Sequence, residues 1–136
     1  MELNNENKEN NSKKSEINLL VDNALNDIID INNKLESSLS NKPQKSFFKE
    51  LKQKIYHSLY ENHSYKNNSN LIEEIITKIE QYILTHTDDL NPSIIELLET
   101  LMMLFLFHFD FHIIKIGFQL LNFLINNLEQ SYVVNC

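Results

Sequence analysis

The chain has 136 residues and a formal net charge of −7, and all twelve of its basic residues are lysines. A negative surface without arginine repels phosphate backbones and lacks bidentate phosphate contacts, so nucleic acid is excluded as an expected partner. The only cysteine, Cys136, allows neither a disulfide within the chain nor a zinc-binding spacing.

The opening residues are polar and contain neither a signal-peptide pattern nor a lipidation motif. We therefore expect an intracellular protein, cytoplasmic or nuclear, that is not secreted. Residues 1–15 hold too few apolar side chains to offset the entropy of ordering, which predicts a disordered polar tail. A single helical domain is predicted over residues 16–130, followed by a C-terminal tail over residues 131–136.

The first predicted helix carries a stripe of apolar residues that are four and three positions apart. This spacing gives the stripe heptad character and indicates a helix with one apolar face. Such a face can bind a partner helix in a groove or a coiled coil. We predict that it mediates binding of a protein partner or self-association through Ile17, Val21, Ala24, Ile28, Ile31 and Leu35.

Two further helices are predicted beyond the break at residues 37–46, which contains Pro43. A second apolar stripe runs from Phe47 to Leu59. Residues 61–70 are rich in asparagine and serine and are predicted to form a loop. Asn70 and Glu73 then have the spacing of a capping box, which predicts the start of the third helix.

The last two predicted helices are the most apolar. Asn91 and Pro92 have the pattern of an N-cap followed by proline at the first helical position, so a fourth helix begins there. A fifth helix is predicted from near Ile113 to Leu128. Gly117 within it predicts a close approach of a neighbouring helix. Because both helices are apolar nearly all round, we expect this pair to be central, with the other helices packed around it.

The tract Leu101–Phe118, LMMLFLFHFDFHIIKIGF, joins these two helices and has several interpretations. A membrane span is disfavoured because Glu99, Asp110 and Lys115 interrupt every apolar window of sufficient length. A strand would place alternate phenylalanines on one face, but no second alternating segment is present to complete its hydrogen bonds.

A metal site formed by His108, Asp110 and His112 is a further interpretation. In a helix the two histidines share a face, but the aspartate lies about 200° away around the axis. The other histidines lack ligand spacing, so a metal-dependent enzyme is the third of our functional hypotheses, and no cofactor is expected. The favoured interpretation is a dry turn between two apolar helices, in which Asp110 caps the second helix.

The segment IIELLETLMMLFLFHFDFHIIKIGFQLLNFLI, with its aromatic turn at Phe107–Phe109 and GFQLLNFLI from Gly117 to Ile125, resembles the helical RIH module of inositol-trisphosphate and ryanodine receptor channels. The region Leu71–Glu129 is similar to a piece of an armadillo-like α-solenoid. The resemblance implies a helical scaffold segment related to intracellular calcium-release channels, without a pore. The chain lacks the basic cluster that these receptors use for a polyphosphate ligand, so no functional residue is carried over.

These patterns predict an all-α fold of four or five helices, either a compact bundle or a short α-solenoid-like piece. The sequence shows no Ser-His-Asp constellation and no glycine-rich phosphate loop, so no catalytic residue is predicted. The first functional hypothesis is a non-catalytic interaction or scaffold module, and the second is the RIH-like or armadillo-like segment.

Overall fold

The computed structural model describes residues 26–40 and 44–135, with side chains as far as residue 127. A short π-helix, His57–Glu61, follows the second helix directly, and a 3-10 turn, Thr87–Asp89, precedes the fourth. Residues 26–40 and 44–135 contain no strand, which confirms the all-α class. They contain five helices: α1 within residues 26–40, α2 Lys45–Tyr56, α3 Tyr65–Thr85, α4 Pro92–Leu106 and α5 Phe111–Asn135.

The core is built from one apolar stripe on each helix. In α4, residues from Ile94 to Phe105 recur every three or four positions and are almost completely buried. Burying one such side chain contributes about 1.5–3 kcal/mol, so this core is the main source of stability. The other helices contribute Ile28, Ile31, Leu35, Leu39, Phe48, Leu51, Ile55, Ile72, Ile75, Ile79, Ile83, Ile113, Ile116 and Leu120.

The C-terminal pair α4–α5 is not enclosed as expected, because Phe118 and Ile125 of α5 are 60% and 48% exposed. α4 and α5 pack along each other, α2 packs against α4, and α3 packs against α5. α1 is tied to α2 and α3: Lys54 Nζ lies 3.7 Å from Asp30 Oδ2, and Lys78 Nζ donates to Asn32 Oδ1 at 3.0 Å. The α4–α5 pair therefore has a surface that α2 and α3 leave uncovered.

Both predicted helix caps are present at the ends of this pair. Asn91 Oδ1 accepts the N–H of Ser93 at 3.0 Å, with Pro92 as the first residue of α4. Asp110 Oδ1 accepts the N–H groups of the second and third residues of α5 at 2.8 and 3.4 Å. These bonds satisfy N–H groups that a helix start otherwise leaves unpaired, and Asp110 thereby closes the turn between α4 and α5.

The loop predicted over residues 61–70 is wrong from Tyr65 onward. α3 begins at Tyr65 and is kinked at Asn68, and Asn70 lies inside the helix instead of capping it. The cause is burial, because Ser64 and Asn68 are each 1% exposed and hydrogen-bonded to one another. A run of asparagine and serine therefore forms part of a packed helix here, where its composition resembles a solvated loop.

α5 is longer than predicted, since it extends past Leu128 to Asn135 and so into the range 131–136. The tail predicted over residues 1–15 lies outside the described residues. Among the helices that are described, none combines the length and the apolar content that a bilayer crossing requires.

Candidate interaction surface

His108 is the side chain on which the turn between α4 and α5 is built. It is only 3% exposed. Its Nδ1 accepts the N–H of Asp110 at 3.0 Å, and its Nε2 lies 2.9 Å from the carbonyl oxygen of Leu59. Because Nδ1 is an acceptor, the ring proton is assigned to Nε2, which donates to Leu59. Nε2 thus fastens the turn to the π-helix that follows α2, and Nδ1 stabilises the turn itself.

Two tyrosines of the α2–α3 connection surround this imidazole edge-on. The centroids of the Tyr60 and Tyr65 rings lie 5.1 and 4.7 Å from that of His108. The Tyr60 hydroxyl donates to the carbonyl oxygen of Leu104 at 2.5 Å, which adds a second bond between the connection and the end of α4. Burial raises the pKa of both phenols, and the nearby Asp110 carboxylate raises that of Tyr65 further, so both hydroxyls stay protonated.

The α2–α3 connection departs from regular helix geometry at several points. His57–Glu61 is π-helical, His63 has a positive φ of 54°, and α3 is kinked at Asn68. Buried polar side chains hold this shape: Ser64 Oγ donates to Ser58 Oγ at 2.9 Å, and Ser58 Oγ donates to Asn68 Oδ1 at 3.2 Å. Such departures persist only where their surroundings enforce them, and they concentrate at functional sites.

Three phenylalanines project from the turn that this framework supports. Phe107, Phe109 and Phe111 are 74%, 70% and 81% exposed. The prediction of a dry interior is therefore wrong for these side chains, although it is correct for His108. The buried face of α4 ends before the first of them and that of α5 begins after the last, so none falls on a buried stripe. We call these three residues the aromatic corner.

Phe109 is the member of the aromatic corner whose orientation is most clearly supported. Its ring stacks on His108, with centroids 4.3 Å apart and planes inclined by 21°. It also meets the rings of His63 and Tyr65 at 6.3 Å. Aromatic pairs of this kind contribute about 0.5–1.5 kcal/mol each. The exposed ring is therefore held in place by the buried framework.

A second apolar surface continues from the aromatic corner along α5. Phe111, Phe118 and Ile125 are 81%, 60% and 48% exposed, and the partly buried Ile114 and Leu121 lie between them. Their spacing of three and four residues places all five on one face of the helix. We call this face the outer stripe. It shares Phe111 with the aromatic corner, so the two surfaces are continuous.

The outer stripe lies on a side of α5 that neither α3 nor α4 covers. Toward α3, His112 Nε2 lies 3.9 Å from Glu73 Oε1, and Gln119 lines a cleft with that same glutamate. Toward α4, a Cβ added to Gly117 would lie 3.0 Å from the backbone nitrogen of Leu106. This distance confirms the close helix approach predicted at Gly117, and the stripe occupies the remaining side.

The three residues of the metal hypothesis do not converge on one point. The Asp110 carboxylate caps α5, both nitrogens of His108 are engaged, and the imidazole of His112 turns toward α3. Within residues 26–40 and 44–135, no group of three His, Cys, Asp or Glu side chains is placed to hold a metal ion.

The structure divides the interaction stripe predicted on the first helix. Ile28, Ile31 and Leu35 are at most 1% exposed and belong to the core of their own chain, so α1 packs in cis over this length. Binding of a partner at the first helix therefore stays a prediction for the other three residues of the stripe. These lie outside the described residues: Ile17, Val21 and Ala24.

Polar side chains at two other surface depressions take part in local structure. In one, at the end of α3, His86 stacks on Tyr82 at 4.0 Å, and its Nδ1 lies 2.9 Å from the Tyr82 carbonyl oxygen. In the other, between α3 and α5, burial raises the pKa of Glu80 beside Thr77 and Gln119. These groups close a helix end and line a helix contact.

No family model matches this chain, and neither a curated protein nor a solved structure gives a match. The aromatic corner and the outer stripe are therefore the features of the described residues that bear on function.

Proposed function

We propose that this protein is a non-catalytic helical interaction module that binds a protein partner through the aromatic corner and the outer stripe. The observation that carries the proposal is the 70–81% exposure of Phe107, Phe109 and Phe111. These side chains project from a turn whose backbone is fixed by buried hydrogen bonds. The surface is therefore presented in a defined shape before a partner arrives, which lowers the entropic cost of binding.

The exposed apolar area is large for a chain of this length. At roughly 200 Å² for each phenylalanine ring, the four exposed rings of the corner and the stripe leave about 570 Å² in water. The largest apolar patch of a typical monomer covers about 300–600 Å² and is often functional. Met103 and Ile125, which are 46% and 48% exposed, add to this area.

The charge pattern of the same region also favours an interface. From Leu101 to Asn127 only Asp110 and Lys115 carry a formal charge. Depletion of charge together with enrichment in aromatic residues is typical of the core of a protein interface, whereas a solvated helix face carries charges throughout.

Site-specific photo-cross-linking in the cells that express the chain tests this proposal. A photoreactive phenylalanine analogue replaces Phe107 or Phe109 and, as a matched control, the exposed Gln53 of α2. We expect positions 107 and 109 to label a partner peptide of defined sequence. An excess of the wild-type chain should compete for that labelling, and a chain carrying Phe107→Ser and Phe109→Ser should not. Equal labelling from position 53, or labelling that the wild-type chain does not compete, would exclude the aromatic corner as a binding surface.

A second candidate is the RIH-like or armadillo-like scaffold segment. The observation that favours it is the contact of α2 with α4 and of α3 with α5. In an α-solenoid, helix pairs stack so that each helix packs on the one two places further along the chain. Under this candidate the outer stripe is the face on which the next helix pair would stack, since a terminal repeat needs a polar outer face to end the array.

A further inference from the structure

We infer that the outer stripe of α5 binds the outer stripe of a second copy of this chain, in an antiparallel pair with Phe118 on the two-fold axis. The inference deepens the proposed function and rests on it for the identification of this surface as an interface. What it adds is the partner, the orientation of the two helices and the residue at the centre.

The stripe is self-complementary when it is reversed. Counted from Phe118, Ile114 and Leu121 lie four residues before and three after, and Phe111 and Ile125 lie seven residues to either side. In the antiparallel pair, Phe118 therefore meets its own copy, Ile114 meets Leu121, and Phe111 meets Ile125. A two-fold interface requires this relation, because a residue that contacts another across the axis is contacted by it in return.

The charges of the chain restrict where two copies can meet. A net charge of −7 makes two copies repel, so the contact needs a surface without like charges facing each other. Over residues 111–127 the single formal charge is that of Lys115. In the antiparallel pair the two Lys115 residues are about 9 Å apart along the axis, at 1.5 Å per residue, so they do not face each other. The outer stripe therefore meets this requirement.

The area of the stripe sets the strength of the pairing. With about 200 Å² for each ring, the two rings of the stripe expose on the order of 280 Å² of apolar surface per copy, to which Ile125 adds. A stable dimer buries about 800 Å² per partner, and smaller contacts are transient. The pair is therefore a weak and transient dimer, and the rest of the aromatic corner stays accessible to another protein.

The experiment measures the mass of the purified full-length chain by sedimentation equilibrium from about 1 to 300 μM. The wild-type mass should rise from the monomer value of 16.1 kDa toward twice that value. Phe118→Glu and Phe118→Lys should each raise the dissociation constant by at least about 30-fold, because each places two like charges across the axis. An equimolar mixture of the two variants should regain the dimer, because only a residue that faces its own copy can be complemented in this way.

The matched control is Asn126→Glu, an exposed position on the polar side of α5, which should leave the dimer unchanged. Far-ultraviolet circular dichroism checks that the variants keep their helix content, as expected for a side chain that is 60% exposed. A wild-type chain that stays monomeric up to 300 μM overturns the inference, and so does a dimer that survives Phe118→Glu or a mixture that stays monomeric. Cross-linking from positions 107 and 109 decides the proposed function separately, because those residues lie outside the stripe.

Discussion

At the scale of single residues, two backbone groups depend on the imidazole of His108. Its Nε2 donates to a carbonyl that the end of a helix leaves without a partner, and its Nδ1 accepts the N–H of Asp110. A histidine that lies two residues before an aspartate and four before a second histidine resembles a metal ligand in the sequence. The partner that gives it a structural role, Leu59, is 49 residues away and cannot be found from local spacing.

We expect His108→Leu to lower the free energy of unfolding by about 3 kcal/mol, since each backbone group left buried without a partner costs about 1–3 kcal/mol. Urea denaturation followed by circular dichroism measures the change. His112→Leu is the matched control: its side chain is 48% exposed, so the expected change is within about 0.5 kcal/mol. Similar losses in the two variants would contradict the role assigned to His108.

At the scale of elements, the packing of α4 on α5 depends on the absence of a side chain at Gly117. A Cβ at this position would lie 3.0 Å from the Leu106 backbone nitrogen and from the Phe105 Cβ, which is closer than ordinary packing allows. Alanine is the better helix former by about 1 kcal/mol, whereas overpacking costs about 1–3 kcal/mol. The close approach therefore has the larger effect.

Gly117→Ala should accordingly destabilise the protein by up to about 2 kcal/mol, despite the gain in helix propensity. The measurement is the midpoint of chemical denaturation, with Asn122→Ala, an exposed substitution on the same helix, as the comparison. Asn122→Ala should stay within about 0.5 kcal/mol of the wild type. An increase in stability from Gly117→Ala would mean that α4 and α5 do not approach as closely as described.

Features formed by local interactions could be predicted from the sequence, whereas features formed by contacts between distant residues could not. The caps at Asn91 and Asp110 involve N–H groups two or three residues away, so local spacing was enough to predict them. The start of α3 depends on Ser58, whose hydroxyl meets Asn68 ten residues further along the chain. Two residues of the aromatic corner could have been noticed, because Phe107 is out of register with the apolar stripe of α4 and Phe111 with that of α5.

At the scale of the whole molecule, the contacts of α2 with α4 and of α3 with α5 are those that a stack of helix pairs would make. In a stack, each layer is stabilised by its neighbours alone, so the outermost layer opens first. In a closed bundle every helix packs on a common centre and is lost in one cooperative step. The sequence left both architectures open, because helical periodicity does not specify which helices are neighbours.

Native-state hydrogen exchange should therefore show graded protection if the stack describes the molecule. We expect the amides of α1 to open at a free energy about 1–2 kcal/mol below those of α3, which lies between α1 and α5. Low concentrations of denaturant separate local from global opening. Equal protection of α1 and α3, with the full dependence on denaturant in both, would contradict the stack and favour the bundle.

The bends of this chain are made largely by side chains, and this determines which substitutions the fold tolerates. Glycine occurs once in the sequence, at Gly117 inside α5, so no turn of the chain depends on a glycine. Individual groups close the ends instead: an amide at Asn91, a carboxylate at Asp110, an imidazole at His108 and a phenol at Tyr60. Substitution of the many exposed asparagines should therefore leave the path of the chain unchanged, whereas each of these four positions accepts few alternatives.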